Sequence, residues 1–198
     1  MSTIKQWVSV AAVSLVVCGV CQSRAADVDL VVNALPASIL IDIDGSKFAA
    51  TGEDGRASMS QVFAMPNIAA GVGLEQNAVY LDLTGGAGIV VNDSFRSFLL
   101  QLTASGTLMM SESLSIGPRA GLVYFADPEW LENDDVDFDE DLGFLLGLQI
   151  EMGNDIKYLV TVDYLAASFD ASDNEGTAED SEFDLTGLAI QFGVRGLF

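Results

Sequence analysis

The chain has 198 residues, with 29 acidic and 8 basic side chains, a net charge of −21 and no histidine. That balance excludes a basic nucleic-acid footprint, and without imidazole neither a Ser–His nucleophile pair nor a His-ligated metal can form. Paired carboxylates are the general acid–base option left, so no enzyme and no cofactor is expected.

The first 25 residues read as a secretory signal peptide: Lys5 gives a positive start, Trp7 to Val20 is a short apolar run, and Ser23-Arg24-Ala25 is a small-x-small cleavage site. The run is too short to remain as a membrane span. Both cysteines, Cys18 and Cys21, fall inside it, so the mature chain is expected to hold together without disulfides although export offers an oxidising compartment. Removing residues 1–25 from 198 leaves 173, enough for one domain. Residues 26–36 read as a short segment ahead of the folded body, which would occupy 37–198.

From there the chain alternates with a period of two residues, the signature of strands with one greasy face. A first, weaker strand is expected near 38–50 (SILIDIDGSKFAA), then strands near 62–75 and 78–91, where Val79, Leu81, Leu83, Ala87 and Ile89 share a face. Near 96–110 the apolar face is Phe98, Leu100, Leu102, Ala104 and Leu108; near 113–126 it is Leu114, Ile116, Pro118, Ala120, Leu122 and Tyr124. The strand near 139–152 presents Leu142, Phe144, Leu146, Leu148, Ile150 and Met152, and the strand near 155–169 presents Ile156, Tyr158, Val160, Val162 and Tyr164. The last, near 183–198, carries Leu188, Ile190, Phe192, Val194 and Phe198. Connections alternate between tight turns (75–77, 111–113, 153–155) and the acidic stretches TGEDG (51–55), DPEWLENDDVDFDED (127–141) and DASDNEGTAEDSE (170–182). Such like-charged blocks are loops in water.

The opposite face decides which solvent the greasy one meets. It holds Gly71, Gly73, Gly86, Gly88, Gly117, Gly121, Gly143, Gly147 and Gly193, with Gln101, Thr103, Ser105, Gln149, Gln191 and a few charges. A soluble sandwich or lipocalin-type barrel turns its apolar face inward and bathes the other in water, where Lys, Glu and Thr belong. A membrane barrel inverts this and fills a narrow centre with small and polar groups. A charge on the lipid face near mid-bilayer costs about 2–4 kcal/mol, and none is found there. The fold class expected is therefore all-β: a closed antiparallel eight-stranded up-and-down transmembrane β-barrel. Pro66 and Pro118 fall mid-strand, where each loses a ladder hydrogen bond, so a local bulge is expected at both.

The closing stretch QFGVRGLF places a polar residue at Gln191, a glycine at Gly193 and a terminal aromatic at Phe198, with Gly196 where a hydrophobic residue is usual. This resembles the C-terminal assembly signal of bacterial outer-membrane barrels, and the whole from about residue 37 resembles the small eight-stranded barrels of the OmpA and OmpX type. The resemblance implies a bacterial outer-membrane location, handling by periplasmic chaperones, insertion by the barrel-assembly machinery, and contact with outer-membrane lipids by a monomer. It places residues 26–36 on the periplasmic side. The barrel enzymes of similar architecture rely on a histidine, which this chain lacks.

On the inner face, Asp82, Arg119, Glu151, Asp163 and Arg195, joined by Glu75 and Lys157, are expected to pair or form a network, because lone charges in a narrow interior are costly. An ion gate is the alternative. Asp135, Asp137, Asp139 and Asp141 supply oxygen at alternate positions, but Glu140 stands where an EF-hand loop needs glycine and Leu146 where it needs its bidentate acid, leaving at most weak cation binding. Tyr80, Tyr124, Trp130, Tyr158, Tyr164, Phe169 and Phe183 lie toward strand ends and are expected to form interface girdles. The function expected is structural or surface recognition through the acidic loops without turnover. A narrow channel for small solutes or ions and a soluble secreted binding protein are the alternatives.

Overall fold

The computed structural model describes residues 27–43, 49–52, 55–58, 60–131, 136–154, 156–173 and 182–198. The expected signal peptide and parts of the acidic stretches lie outside these residues. The strands are β1 (Asp27–Asp42), β2 (Ala49–Gly52), β3 (Gly55–Ser58), β4 (Val62–Ala64), β5 (Asn67–Gln76), β6 (Val79–Val91), β7 (Phe95–Ser111), β8 (Leu114–Trp130), β9 (Val136–Phe138), β10 (Asp141–Met152), β11 (Ile156–Asp173) and β12 (Glu182–Leu197).

All pairings are antiparallel, and each long strand pairs with its neighbour in sequence: β1–β5, β5–β6, β6–β7, β7–β8, β8–β10, β10–β11 and β11–β12. The last strand returns to the first, from Val31↔Leu197 to Asp42↔Gly187, so the hydrogen bonds run round a ring of eight strands. β4 continues the course of β5, and β9 that of β10. β2 and β3 pair apart from the ring as a hairpin. At one end the strands are joined tightly, by Asn77 at φ +58° between β5 and β6 and by Gly153 at φ +117° after β10, left-handed positions that favour these two residue types. Leu30 and Phe198 exchange backbone hydrogen bonds of 2.8 and 3.0 Å at this end. The opposite end carries the longer connections; its short one is an Asx turn in which the Asn92 carboxamide accepts from Ser94 N–H at 2.9 Å and Phe95 N–H at 2.7 Å.

Side chains alternate between the two surfaces of the ring, and the greasy set points out. Leu100, Val72, Leu146 and Phe192 are 50–61 % exposed, whereas Gln149, Glu151, Asp163 and Arg195 inside are at most 2 % exposed. Small residues line the interior because backbones crowd there: a Cβ at Gly193 would lie 1.9 Å from the Ala34 carbonyl oxygen across the β12–β1 seam.

Two expectations about the strands need correction. Residues 27–36 are not a segment ahead of the body; they form the first half of β1, paired with β5 from Asp27↔Glu75 to Leu35↔Asn67. The alternation there (Val28, Leu30, Val32) is hidden by a bulge between Ala34 and Ala37, which turns Pro36 and Ala37 outward together and reverses the parity that follows. At Pro66 the strand is indeed interrupted, separating β4 from β5. At Pro118 there is no bulge: β8 runs straight through, pairing Pro118 with Leu148, and its ladder to β7 omits the rungs facing Pro118 and Gly117 without shifting register.

Candidate functional site: a charged floor beneath an aromatic plug

The inward faces read in the same order on strand after strand. From the loop end, β12 presents Phe183, Leu185, Gly187, Ala189, Gln191, Gly193 and Arg195, while β11 presents Phe169, Ala167, Leu165, Asp163, Thr161 and Leu159. β8 presents Phe125, Val123, Gly121 and Arg119. Because neighbours pair nearly in step, the ring stacks an aromatic layer, an aliphatic layer and a polar floor.

The floor gathers three of the five predicted charged residues into one cluster. The Arg195 Nη1 group donates to Asp82 Oδ2 at 2.9 Å and to Glu151 Oε1 at 2.6 Å, and Arg195 Nε donates to Asn33 Oδ1 at 2.9 Å. Ser105 donates to Asp82 at 2.6 Å, and Gln149 donates to Glu151 at 2.8 Å and to Ser105 at 3.1 Å. Lys157 completes the cluster by donating to the other Glu151 oxygen at 2.9 Å, its ammonium 5.4 Å from the centre of the Tyr80 ring. Two formal cations thus meet two formal anions, so the charges are matched, while the buried Arg195 Nη2 makes no hydrogen bond among the described residues.

The other two predicted residues form a separate, looser pair, with Arg119 Nη1 3.6 Å from Asp163 Oδ2, both almost wholly buried. Among the described residues, Arg119 Nε and both Asp163 oxygens find no hydrogen-bond partner, and neither does the buried Thr107 hydroxyl. Between the pairs run neutral links: Thr161 donates to Gln191 at 3.1 Å, Gln191 to Ser38 at 3.0 Å, Gln101 to Asn67 at 2.8 Å, and Thr84 and Thr103 share a 2.8 Å bond. Glu75, expected on the inner face, is exposed at the end of β5, paired through its backbone with Tyr80.

Above the floor the interior closes with aromatic rings. Phe95 stands 5.6–6.0 Å from the ring centres of Phe63, Phe138, Phe169 and Phe183, Phe125 packs edge-on to Phe169 at 5.2 Å, and Phe169 stacks on Phe183 at 5.6 Å. Leu40, Met65, Val90, Leu99, Val123, Leu145, Leu165 and Leu185 pack beneath them. This plug corrects the girdle expectation: Phe169, Phe183 and Trp130 are inside it, and Tyr80 is also buried, on the tight-turn side of the floor, with its hydroxyl 3.3 Å from Asp29 Oδ2. Parity carried the signal, since Phe169 is in step with Asp163, Phe183 with Arg195, and Phe125 with Arg119. Tyr158 and Tyr164 do face outward, and Tyr124 is half-buried with its hydroxyl bonded to the Glu140 carboxylate.

Of the residues singled out at the C-terminus, Gln191 and Gly193 face the interior and Phe198 is exposed. Of the four aspartates weighed for a cation, Asp135 lies outside the described residues and Asp137 is described by its backbone in β9. Asp139 is exposed, and Asp141 accepts the Ser168 N–H at 2.9 Å. Among the described residues no three acidic or cysteine side chains converge on one point.

No protein-family model matches the chain, and no curated protein matches it. Solved structures similar to the chain include two outer membrane proteins. The outer membrane protein AlkL, determined by solid-state NMR in DMPC lipid bilayers, shares 13 % identity at a TM-score of 0.46, over 89 % of this chain and 93 % of that one. The outer membrane protein OprG from Pseudomonas aeruginosa shares 12 % identity at a TM-score of 0.40, over 87 % and 97 %.

Proposed function

We propose that the chain is a closed transmembrane β-barrel of a bacterial outer membrane, one that conducts nothing through its centre and serves a structural or surface-recognition role through its acidic loops. One observation carries this reading: hydrocarbon side chains clothe the outside of the ring while the charges lie within. In water that arrangement would leave a continuous apolar belt unburied, far beyond the scattered exposed apolar residues of a soluble monomer. In hydrocarbon it is the stable one, because the outside offers lipid no charge and the ring of hydrogen bonds offers it no open edge.

The closed centre follows from size and filling. Eight strands leave an interior just wide enough for side chains, and here rings fill one half and ion pairs bridge the other. A narrow channel is the second reading, favoured by the polar floor and opposed by the plug. In this reading Gln191, Gly193 and Phe198 act as the signal by which chaperones and the assembly machinery handle the last strand, the barrel is a monomer among outer-membrane lipids, and no substrate is turned over.

Fractionation tests the location: the protein is expected to pellet with membranes after carbonate extraction and to migrate differently on gels before and after heating. Recovery in the soluble fraction would overturn the membrane reading in favour of the soluble secreted binding protein. In planar bilayers no steady openings are expected, and regular openings would establish the channel instead.

A further inference from the structure

Resting on the membrane reading above, we infer that the outer wall of the barrel carries a seat for one acyl chain of a bilayer phospholipid, made where two proline breaks fall side by side. Pro36 bulges β1 outward, and Pro66 separates β4 from β5. The two strands pair up to Leu35↔Asn67 and resume at Ile39↔Ala64, so both prolines sit in the unpaired interval between them. On the far side, β6 brings Gly88 against the break: a Cβ there would lie 2.4 Å from the Pro66 carbonyl oxygen, so the wall is thinned by the one residue the approach allows.

The result is a cleft of about 380 Å³ opening on the exterior, bordered by Ala34, Pro36, Pro66, Ile68, Ala87 and Ile89, with Leu35, Asn67 and Gly88 also lining it. Its volume lies in the range of small-ligand sites, roughly 300–1,000 Å³. Its chemistry is hydrocarbon alone. Asn67 has the one polar side chain in the lining, and it is spent inside: its Nδ2 donates to the Met65 carbonyl at 3.2 Å and its Oδ1 accepts from Gln101 at 2.8 Å. The Pro66 carbonyl is likewise occupied, accepting Ile89 N–H at 3.2 Å. A headgroup finds nothing to bind there.

The cleft is continuous with the greasy belt. It opens midway along β1, between Val28, Leu30 and Val32 on one side and Ile39, Ile41 and Ile43 on the other, all exposed. The medium at that depth is acyl chain. Since lipid tails are as apolar as leucine, no hydrophobic effect drives a chain into the cleft; retention comes from close packing, and a void there would forfeit those contacts.

The test is retention of a defined phospholipid. The full chain is reconstituted in vesicles of palmitoyl-oleoyl phosphatidylglycerol, stripped with mild detergent and weighed by native mass spectrometry. The wild type is expected to keep one phospholipid mass. Ala87→Phe, which fills the cleft from β6, and Ile68→Trp, which fills it from β5, are each expected to lower the retained fraction about tenfold, the change that corresponds to 1.4 kcal/mol of binding. Ala120→Phe, on the belt away from the cleft, is expected to keep it. Two filling variants on different strands guard against one failing to fold, which heat-dependent gel migration reports. A wild type that carries no lipid mass, filled variants that carry as much as the wild type, or a control that loses it equally would each overturn the seat. Failure of the membrane reading is distinguished beforehand, because the chain would then remain in the carbonate supernatant.

Discussion

Arg195 is the residue on which the floor depends, since its Nη1 group is shared by Asp82 and Glu151. Replacing it with methionine would leave Asp82 without a cationic partner and Glu151 with Lys157 alone. Breaking a buried ion pair from one side costs about 3–5 kcal/mol, so the unfolding free energy from a urea titration, followed by the heat-modifiable gel band, is expected to fall by an amount in that range. Arg119 and Asp163 should behave differently. Their 3.6 Å separation and unpartnered atoms mark a pair that gains little for its desolvation. The double variant Arg119→Met/Asp163→Leu is therefore expected to be at least as stable as the wild type in the same titration, while each single variant, which leaves one buried charge alone, falls below it; a double variant less stable than the wild type would show that the pair is a true stabiliser. All five of these charges were legible as inward-facing from parity alone. Which of them meet was not, because an arginine reaches across the interior to strands far away in sequence, as Arg195 on β12 reaches Asp82 on β6 and Glu151 on β10.

At the scale of the strand, the two faces answer to different constraints. Leu146 sits midway along the outer face of β10, so Leu146→Lys is expected to cost about 2–4 kcal/mol of stability in bilayers, the penalty for a charge at mid-depth. Unfolding titrations in vesicles measure it, and a cost near zero would mean that this face does not meet hydrocarbon. Gly193 tests the seam between β12 and β1. Valine there would set its Cβ 1.9 Å from the Ala34 carbonyl oxygen, and Gly193→Val is expected to lose the compact, heat-modifiable form. The alternation made β6, β7, β8, β10, β11 and β12 readable because each keeps one parity through most of its length. β1 was obscured by a single extra residue at its bulge, and a period-two pattern broken by one position looks like two unrelated pieces. The inner phenylalanines were misassigned for a related reason: position near a strand end suggested a girdle, while parity placed them inside.

For the molecule as a whole, the partition of the interior matters most. Phe95 touches four other rings at the centre of the plug. Phe95→Ala is expected to cost about 3–5 kcal/mol, the usual range for removing a buried phenyl ring, read from the same unfolding titration. The sequence by itself determined that the chain is all-β, which side chains share a face, and that the greasy face is the uncharged one. These are properties of neighbouring residues, fixed by the alternation of the extended backbone. The tertiary structure alone decided that the ring closes from β12 to β1, that rings gather at one end and ion pairs at the other, and that Pro36 and Pro66 fall opposite each other. Those depend on register between strands, which is settled only when every strand has found its neighbour.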